Sequence, residues 1–140
     1  MNDKFDLAFS DLGLSPSGGE GDFYSFVLQR EDRSEIIVSL FKDTEQLALR
    51  MSVHTSNKIP HTISREFFEC FAQAALEPLR GGMGVGMSPG CEHLCVYHIL
   101  PLAGYGQGHS LMVLENLVEH AENWDERLGS GLHAAMRYTA

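Results

Sequence analysis

Residues 35–55 read EIIVSLFKDTEQLALRMSVHT and contain two runs of strand length joined by a short polar stretch. The second run alternates between apolar and mostly polar positions, and its apolar set is Leu47, Leu49, Met51 and Val53. Such alternation is typical of a strand with one buried face and one solvated face. Because residues 42–45 leave room only for a tight connection, the segment predicts an antiparallel hairpin with strands over Glu35–Phe41 and Leu47–Thr55.

The first strand of this hairpin is apolar on both faces. Val38 and Leu40 share one face, whereas Ile37 and Phe41 lie on the other, and parity alone does not determine which pair points outward. A preceding strand predicted over Phe23–Gln29 also has apolar side chains on both faces. One layer of helices covers only one face of a sheet. We therefore expect another polypeptide to cover the apolar side chains on the second face. The alternative is that the chain's own termini and loops cover them.

Helices are predicted before and after these three strands in the sequence. Phe5, Ala8, Phe9 and Leu12 have helical spacing, which predicts a short helix over about residues 3–12 that ends at Gly13. Farther on, Ser64 is a suitable N-cap for a helix with an apolar stripe. The members of that stripe are Phe67, Phe68, Phe71, Ala74, Ala75 and Leu79.

The remaining elements are a second hairpin and a long amphipathic helix. Strands are predicted over Met83–Met87 and Leu94–Leu100, and the helix begins near Ser110 and ends at Gly129. The order α-β-β-β-α-β-β-α predicts an α+β fold, with three helices on a twisted, antiparallel five-stranded sheet. Residues 1–129 are expected to form one domain, and residues 130–140 a flexible tail.

Charge and cysteine content restrict the possible partners. Ten Lys and Arg against nineteen Asp and Glu give a net charge of −9, which disfavours binding to nucleic acid and to anionic membranes. Residues 1–14 lack a basic and apolar export signal, and no stretch is long enough to span a bilayer. Three cysteines do not form a disulfide framework, and these features together predict a cytoplasmic protein.

Candidate catalytic and metal-binding residues are few. Cys91, His93 and Cys95 share a face of a strand, but the outer two are about 13 Å apart, too far to bind one zinc ion. Gly104, Gly106 and Gly108 do not have the spacing of a phosphate-binding loop. No catalytic residue, metal or cofactor is therefore expected. The alternative is a small ligand- or metal-binding domain that uses the Cys91–His98 hairpin.

Several of these features together resemble the class I type III secretion chaperones, the small acidic proteins related to the Tir chaperone. The resemblance extends over about residues 3–128 and includes the first helix ending at Leu12-Gly13-Leu14 and the middle helix followed by Gly81-Gly82. It also includes the strand that ends at Leu100-Pro101-Leu102 and the final helix with Trp124 near its end.

The resemblance implies a homodimer in the bacterial cytosol that binds the N-terminal segment of one or more secreted effectors and keeps it extended. It implies no enzymatic activity and no cofactor. The residues it suggests for contact with the effector are Phe5, Phe9, Leu12, Val38 and Leu40. The residues it suggests for the dimer interface are Phe67, Phe68, Phe71, Leu79 and Val85.

Overall fold

The fold was analysed in a computed structural model that describes residues 4–14, 22–29, 35–87 and 90–139, with side chains described up to Leu128. In chain order the elements are α1 (Lys4–Asp11), β1 (Phe23–Gln29), β2 (Glu35–Asp43), β3 (Ala48–Lys58), α2 (Arg65–Ala74), a 3-10 helix (Glu77–Arg80), β4 (Gly84–Gly86), β5 (His93–Pro101) and α3 (His109–Thr139). The predicted order of helices and strands and the α+β class are confirmed. The short 3-10 helix after α2 was not predicted from the sequence.

The sheet has five antiparallel strands in the order β1-β2-β3-β5-β4. The predicted hairpin is its centre, with Val38 opposite Val53 and Leu40 opposite Met51. Leu47 was predicted to begin the third strand, but it lies in the preceding turn with a φ of 49°. This left-handed conformation is rare for a branched side chain, and the carbonyl of Leu47 accepts a hydrogen bond from the Leu102 N–H at 3.0 Å.

The orientation of β2 determines which face of the sheet is the core. Ile36, Val38 and Leu40 are fully buried, so Ile37 and Phe41 point to the opposite face. Two helices, α1 and α3, pack on the buried face and complete the core. The largest fully buried side chains are Phe9, Ile36, Leu40, Leu49, Met51, Leu94, Leu100, Leu102, Leu117 and Leu128.

A polar network joins α1 to the start of α3. The Asp11 carboxylate accepts hydrogen bonds from the Tyr105 hydroxyl and, at 2.8 Å, from the Gly108 N–H. These two donors lower the pKa of Asp11. The Ser110 hydroxyl donates to the carbonyl of Ala8 at 2.7 Å, so this serine connects the two helices. The glycine-rich loop that precedes α3 therefore has a structural role, in which Gly108 takes a φ of 81°.

Helix α3 is fixed to the sheet by a buried carboxylate. The N–H groups of Ser56 and Asn57, near the end of β3, donate to Asp125 at 3.1 and 2.9 Å. Helix α3 does not end at Gly129, as predicted, but continues to Thr139. A glycine within a helix costs only about 1 kcal/mol, so a single glycine does not impose an end. The division of the chain at residue 129 and the flexible tail stay predictions.

We expect Asp125→Ala to lower the free energy of unfolding by about 2–3 kcal/mol, because two N–H groups of β3 lose a charged acceptor. Urea denaturation at fixed protein concentration measures this change. The control is Glu126→Ala, which removes the neighbouring, exposed carboxylate. Equal stability of both variants would show that Asp125 does not hold α3 on the sheet.

Candidate protein-binding surfaces

The face of the sheet opposite α1 and α3, called here the outer face, has three rows of side chains that run across the strands. The first row is Phe23, Phe41, Arg50 and Ile99; the second is Ser25, Ser39, Ser52 and Tyr97; the third is Val27, Ile37, His54 and Cys95. The second row is small and polar over three strands, and the rows beside it contain large apolar side chains. The outer face is therefore a groove with a serine floor.

The apolar side chains of the outer face are accessible to solvent. Phe23 is 63% exposed, Val27 53% and Ile99 50%, and Ile37, Phe41 and Tyr97 are also exposed. Contiguous apolar surface of this kind is typical of an interaction site. None of the twelve residues in the three rows is acidic, although the chain has nineteen acidic residues. Within the part of the chain that the structure describes, these three rows are therefore apolar or polar, and Arg50, the one Lys or Arg among them, is paired with Asp43 at 2.8 Å.

The outer edge of β1 is open. The Lys42 N–H donates to the carbonyl of Asp22 at 2.8 Å, so even-numbered residues of β1 pair with β2. The alternate residues direct their N–H and C=O groups to the edge, and these are Phe23, Ser25, Val27 and Gln29. Among the strands described, β1 has only β2 as a neighbour. An open edge of this length is a template for pairing with another strand.

Helix α2 has two apolar sides, of which one is covered. Phe67 and Phe71 contact the Trp124 ring edge-to-face, with ring centroids 5.6 and 6.3 Å apart. On the other side, Phe68 is 57% exposed and Leu79 of the 3-10 helix is 85% exposed. We call the exposed side the α2 stripe, which consists of Phe68, Ala72, Ala75, Leu76 and Leu79. The N-cap is as predicted, because the Ser64 side chain accepts from the Phe67 N–H.

A cleft of about 650 Å³ separates α2 and the 3-10 helix from α3. Its apolar lining includes Val85, Val96 and Trp124, whereas His98, His120 and Arg127 are among its polar lining residues. No residue of α2 is buried, so this helix is less firmly packed than α1 or α3. The cleft borders one side of α2, and the α2 stripe forms the other side. Both sides of this helix therefore have surface that the single chain leaves accessible.

Four of the five residues predicted for effector contact lie in the core. Phe5, Phe9, Val38 and Leu40 are 6% exposed or less, and Leu12 is half-buried. The assignment of Val38 and Leu40 to a surface is corrected: α1 and α3 cover their face, and the exposed residues of β2 are Ile37 and Phe41. The aromatic side chains of α1 fill the space above β1, since the rings of Phe9 and Tyr24 are 4.7 Å apart.

The residues predicted for a dimer interface are divided between two environments. Phe68 and Leu79 are exposed on the α2 stripe, whereas Phe67 and Phe71 are half-buried against Trp124. Val85 is buried in β4. The position of Cys70 on the apolar stripe of the predicted helix indicates a core residue, but the structure places the thiol at the surface, where it lines the cleft. Sequence periodicity placed these apolar side chains of α2 in a single stripe, whereas in the structure they lie on two sides of the helix, of which only one is covered.

The Cys91–His98 hairpin does not assemble a metal site in the described residues, where no three His, Cys, Asp or Glu side chains are placed to hold an ion. Burial raises the pKa of the Cys95 thiol, which opposes formation of a reactive thiolate. Burial and the nearby His93 lower the pKa of His54. His93 is engaged in a hydrogen bond with the main chain of β3, because its Nδ1 lies 2.7 Å from the Thr55 carbonyl oxygen.

In the described portion of the chain, no helix combines the length and apolar character needed to cross a membrane.

The chain was compared with known families, curated proteins and solved structures. No family model matches the chain, and no curated protein matches it. A chain of the ExsC–ExsE complex is similar in structure, with a TM-score of 0.68 and 20% sequence identity over 89% of this chain and 92% of that chain. A chain of the HopA1–SchA chaperone–effector complex has a TM-score of 0.63 and 18% identity over 86% and 89% of the two chains. The fold expected from the resemblance to class I type III secretion chaperones is therefore confirmed.

Proposed function

We propose that this protein is a type III secretion chaperone that binds the N-terminal region of a secreted effector and keeps it extended for export. The observation that carries the proposal is apolar surface left uncovered on the outer face and the α2 stripe, together with the open β1 edge, on a fold shared with a chain of a chaperone–effector complex. A surface of this kind is typical of a site that binds polypeptides. The proposal is therefore for a binding protein in the bacterial cytosol.

The α2 stripe is the proposed homodimer interface. In a twofold-symmetric dimer, the α2 helices of the two copies pack antiparallel to each other, and both copies contribute the same α2 stripe to the interface. The small Ala72 and Ala75 allow close approach of the two helices, whereas Phe68 and Leu79 extend from either side of them. Packing of the partner copy against this end of the molecule also covers α2, which the single chain leaves without a buried residue.

The β1 edge is the proposed site for the extended part of the effector. An added strand forms main-chain hydrogen bonds with the edge, and these bonds do not depend on the sequence of the strand. Pairing therefore gives affinity for an unfolded segment of varied sequence. The net charge of −9 keeps the protein soluble while its apolar surfaces are uncovered.

For the dimer, we expect Phe68→Asp and Leu79→Asp each to produce monomers, because a carboxylate in an apolar interface costs several kcal/mol. A cost of about 3 kcal/mol raises the dissociation constant more than 100-fold. Sedimentation equilibrium measures the change against a wild-type mass of twice the 15.5 kDa chain. Met112→Asp, which alters an exposed side chain on α3, is the control and should stay dimeric. A monomeric wild type at high concentration would contradict the proposed interface.

For effector binding, we expect Ser25→Pro to weaken affinity by about tenfold or more, since it removes one N–H from the open edge. The fold should remain intact because that N–H has no partner in β2. Ser25→Ala keeps the N–H and should bind within about twofold of wild type. The effector is first identified by crosslinking the tagged chain in bacteria that assemble a type III secretion system, and its N-terminal segment is then titrated.

Two results separate the parts of this proposal. Wild-type affinity of Ser25→Pro would contradict strand addition but leave the chaperone function standing. Failure to crosslink any exported protein, or binding that does not require the N-terminal segment, would contradict the chaperone function itself.

A further inference from the structure

We propose that the cleft between α2 and α3 binds a small organic acid, whose carboxylate pairs with Arg127. The apolar part of the acid lies on Val85, Val96 and Trp124, which form the apolar lining. The cleft volume of about 650 Å³ is within the range of small-molecule sites, which is about 300–1,000 Å³. The inference goes beyond the proposed function, because the surfaces assigned there to polypeptides do not include this cleft.

Helix α3 has two different polar stripes. One stripe lines the cleft, and its members recur at spacings of four, three and four residues: Asn116, His120, Asn123 and Arg127. The second stripe lies about a quarter of a turn away around the helix and consists of Glu115, Glu119, Glu122 and Glu126. None of these four glutamates lines the cleft. Helix α3 thus presents amides, an imidazole and a guanidinium to the cleft and keeps its carboxylates on another side.

Arg127 is the charged group that an acid would meet. Its guanidinium lies over the Trp124 ring, 5.0 Å from the centroid, and this cation–π contact holds the planar group at the cleft wall. Among the described residues no carboxylate pairs with Arg127, and Glu77, the acidic residue of the lining, pairs with Arg80 at 3.5 Å. A guanidinium binds a carboxylate through two parallel hydrogen bonds. One such cation matches the single charge of a carboxylate, whereas a phosphate group has about −1.5 to −2 charges at pH 7.

His120 and the two asparagines add hydrogen-bonding groups beside Arg127. The Nδ1 of His120 lies 2.8 Å from the carbonyl oxygen of Asn116, which can only accept, so Nδ1 donates. In the neutral ring Nε2 is then an acceptor, which suits a hydroxyl or amine substituent of the acid. Asn116 and Asn123 lie one turn on either side of His120 and are exposed, so their amides offer both donors and acceptors.

The cleft remains accessible in the proposed dimer. On α2 it is lined by Cys70, Gln73, Ala74 and Glu77. At about 100° per residue, the centre of this set is on the opposite side of the helix from the centre of the α2 stripe. A bound acid therefore contacts α2 on one side while the partner copy packs on the other. Because no residue of α2 is buried, a ligand that contacts both α2 and α3 stabilises the position of α2.

The test uses Trp124, which is the one tryptophan of the chain and lies in the cleft. It gives a single indole N–H signal in the NMR spectrum of the nitrogen-15-labelled full chain. The probes are 3-phenylpropanoate and 3-phenylpropanamide, which have nearly the same shape and differ in charge. Arg127→Gln removes the proposed partner of the carboxylate. The control is Arg65→Gln, which removes the same charge from an exposed position on α2 outside the cleft.

We expect 3-phenylpropanoate to shift the indole signal with a dissociation constant of about 1–5 mM, as for a ligand of about eleven non-hydrogen atoms. The amide on the wild type, and the acid on Arg127→Gln, should each bind at least about tenfold more weakly. Arg65→Gln should bind the acid within about twofold of wild type. The acid should also raise the Tm of the wild type more than that of Arg127→Gln.

Three results would overturn the inference: equal affinities of acid and amide, an indole signal that does not move when the acid is in about tenfold excess over the expected dissociation constant, or shifts confined to the outer face. Tighter binding of phenyl phosphate would overturn the choice of a carboxylate. If Arg127→Gln disturbs the packing of Trp124, Ala74→Phe tests the same site, because its ring fills the cleft from α2 and leaves Arg127 in place. Wild-type affinity of Ala74→Phe for the acid would also contradict the site.

These outcomes are separate from those for the chaperone function. Binding of the acid to the cleft would support this site even if no exported protein is crosslinked. An effector that binds through its N-terminal segment, together with a cleft that takes no acid, would support the chaperone function and overturn only the ligand site.

Discussion

A layer of helices can cover only one face of a sheet, and this constraint governs the structure. Strands β1 and β2 have apolar side chains on both faces, and α1 and α3 cover the face that contains Val38 and Leu40. The opposite face is left with exposed aromatic and branched side chains. The same limit applies to α2, which contacts Trp124 on one side and has nothing described on the other. The proposed partner surfaces are the faces that the single chain cannot cover.

Local signals made most of the fold predictable. Period-2 alternation identified the central hairpin, the Ser64 cap marked the start of α2, and Gly13, with a φ of 76°, marked the end of α1. Each of these signals depends on a few neighbouring residues, so it is present in the sequence itself. The size and order of the elements then carried the resemblance to a family whose fold the comparisons confirm.

The candidate surfaces were less predictable because they depend on packing between distant elements. Parity grouped Ile37 with Phe41, but only the position of α1 and α3 shows that this pair is outside. Cys70 was interpreted as buried from its place on an apolar stripe, yet α2 stands away from the sheet and leaves the thiol exposed. The alternating pattern includes Leu47 and so predicts that it belongs to β3. In the structure Leu47 lies in the turn between β2 and β3, where it has a positive φ.

The hydrogen bonds between α1 and the start of α3 join residues 97 positions apart in the chain, from Asp11 to Gly108. During synthesis α1 leaves the ribosome first, but its polar partners follow only after more than a hundred residues have been made. Contacts of such long sequence separation form late and slow folding. Helix α1, with Phe5 and Phe9 on its apolar side, therefore lacks these polar partners until the start of α3 has been made, a period in which it is available to cellular folding factors.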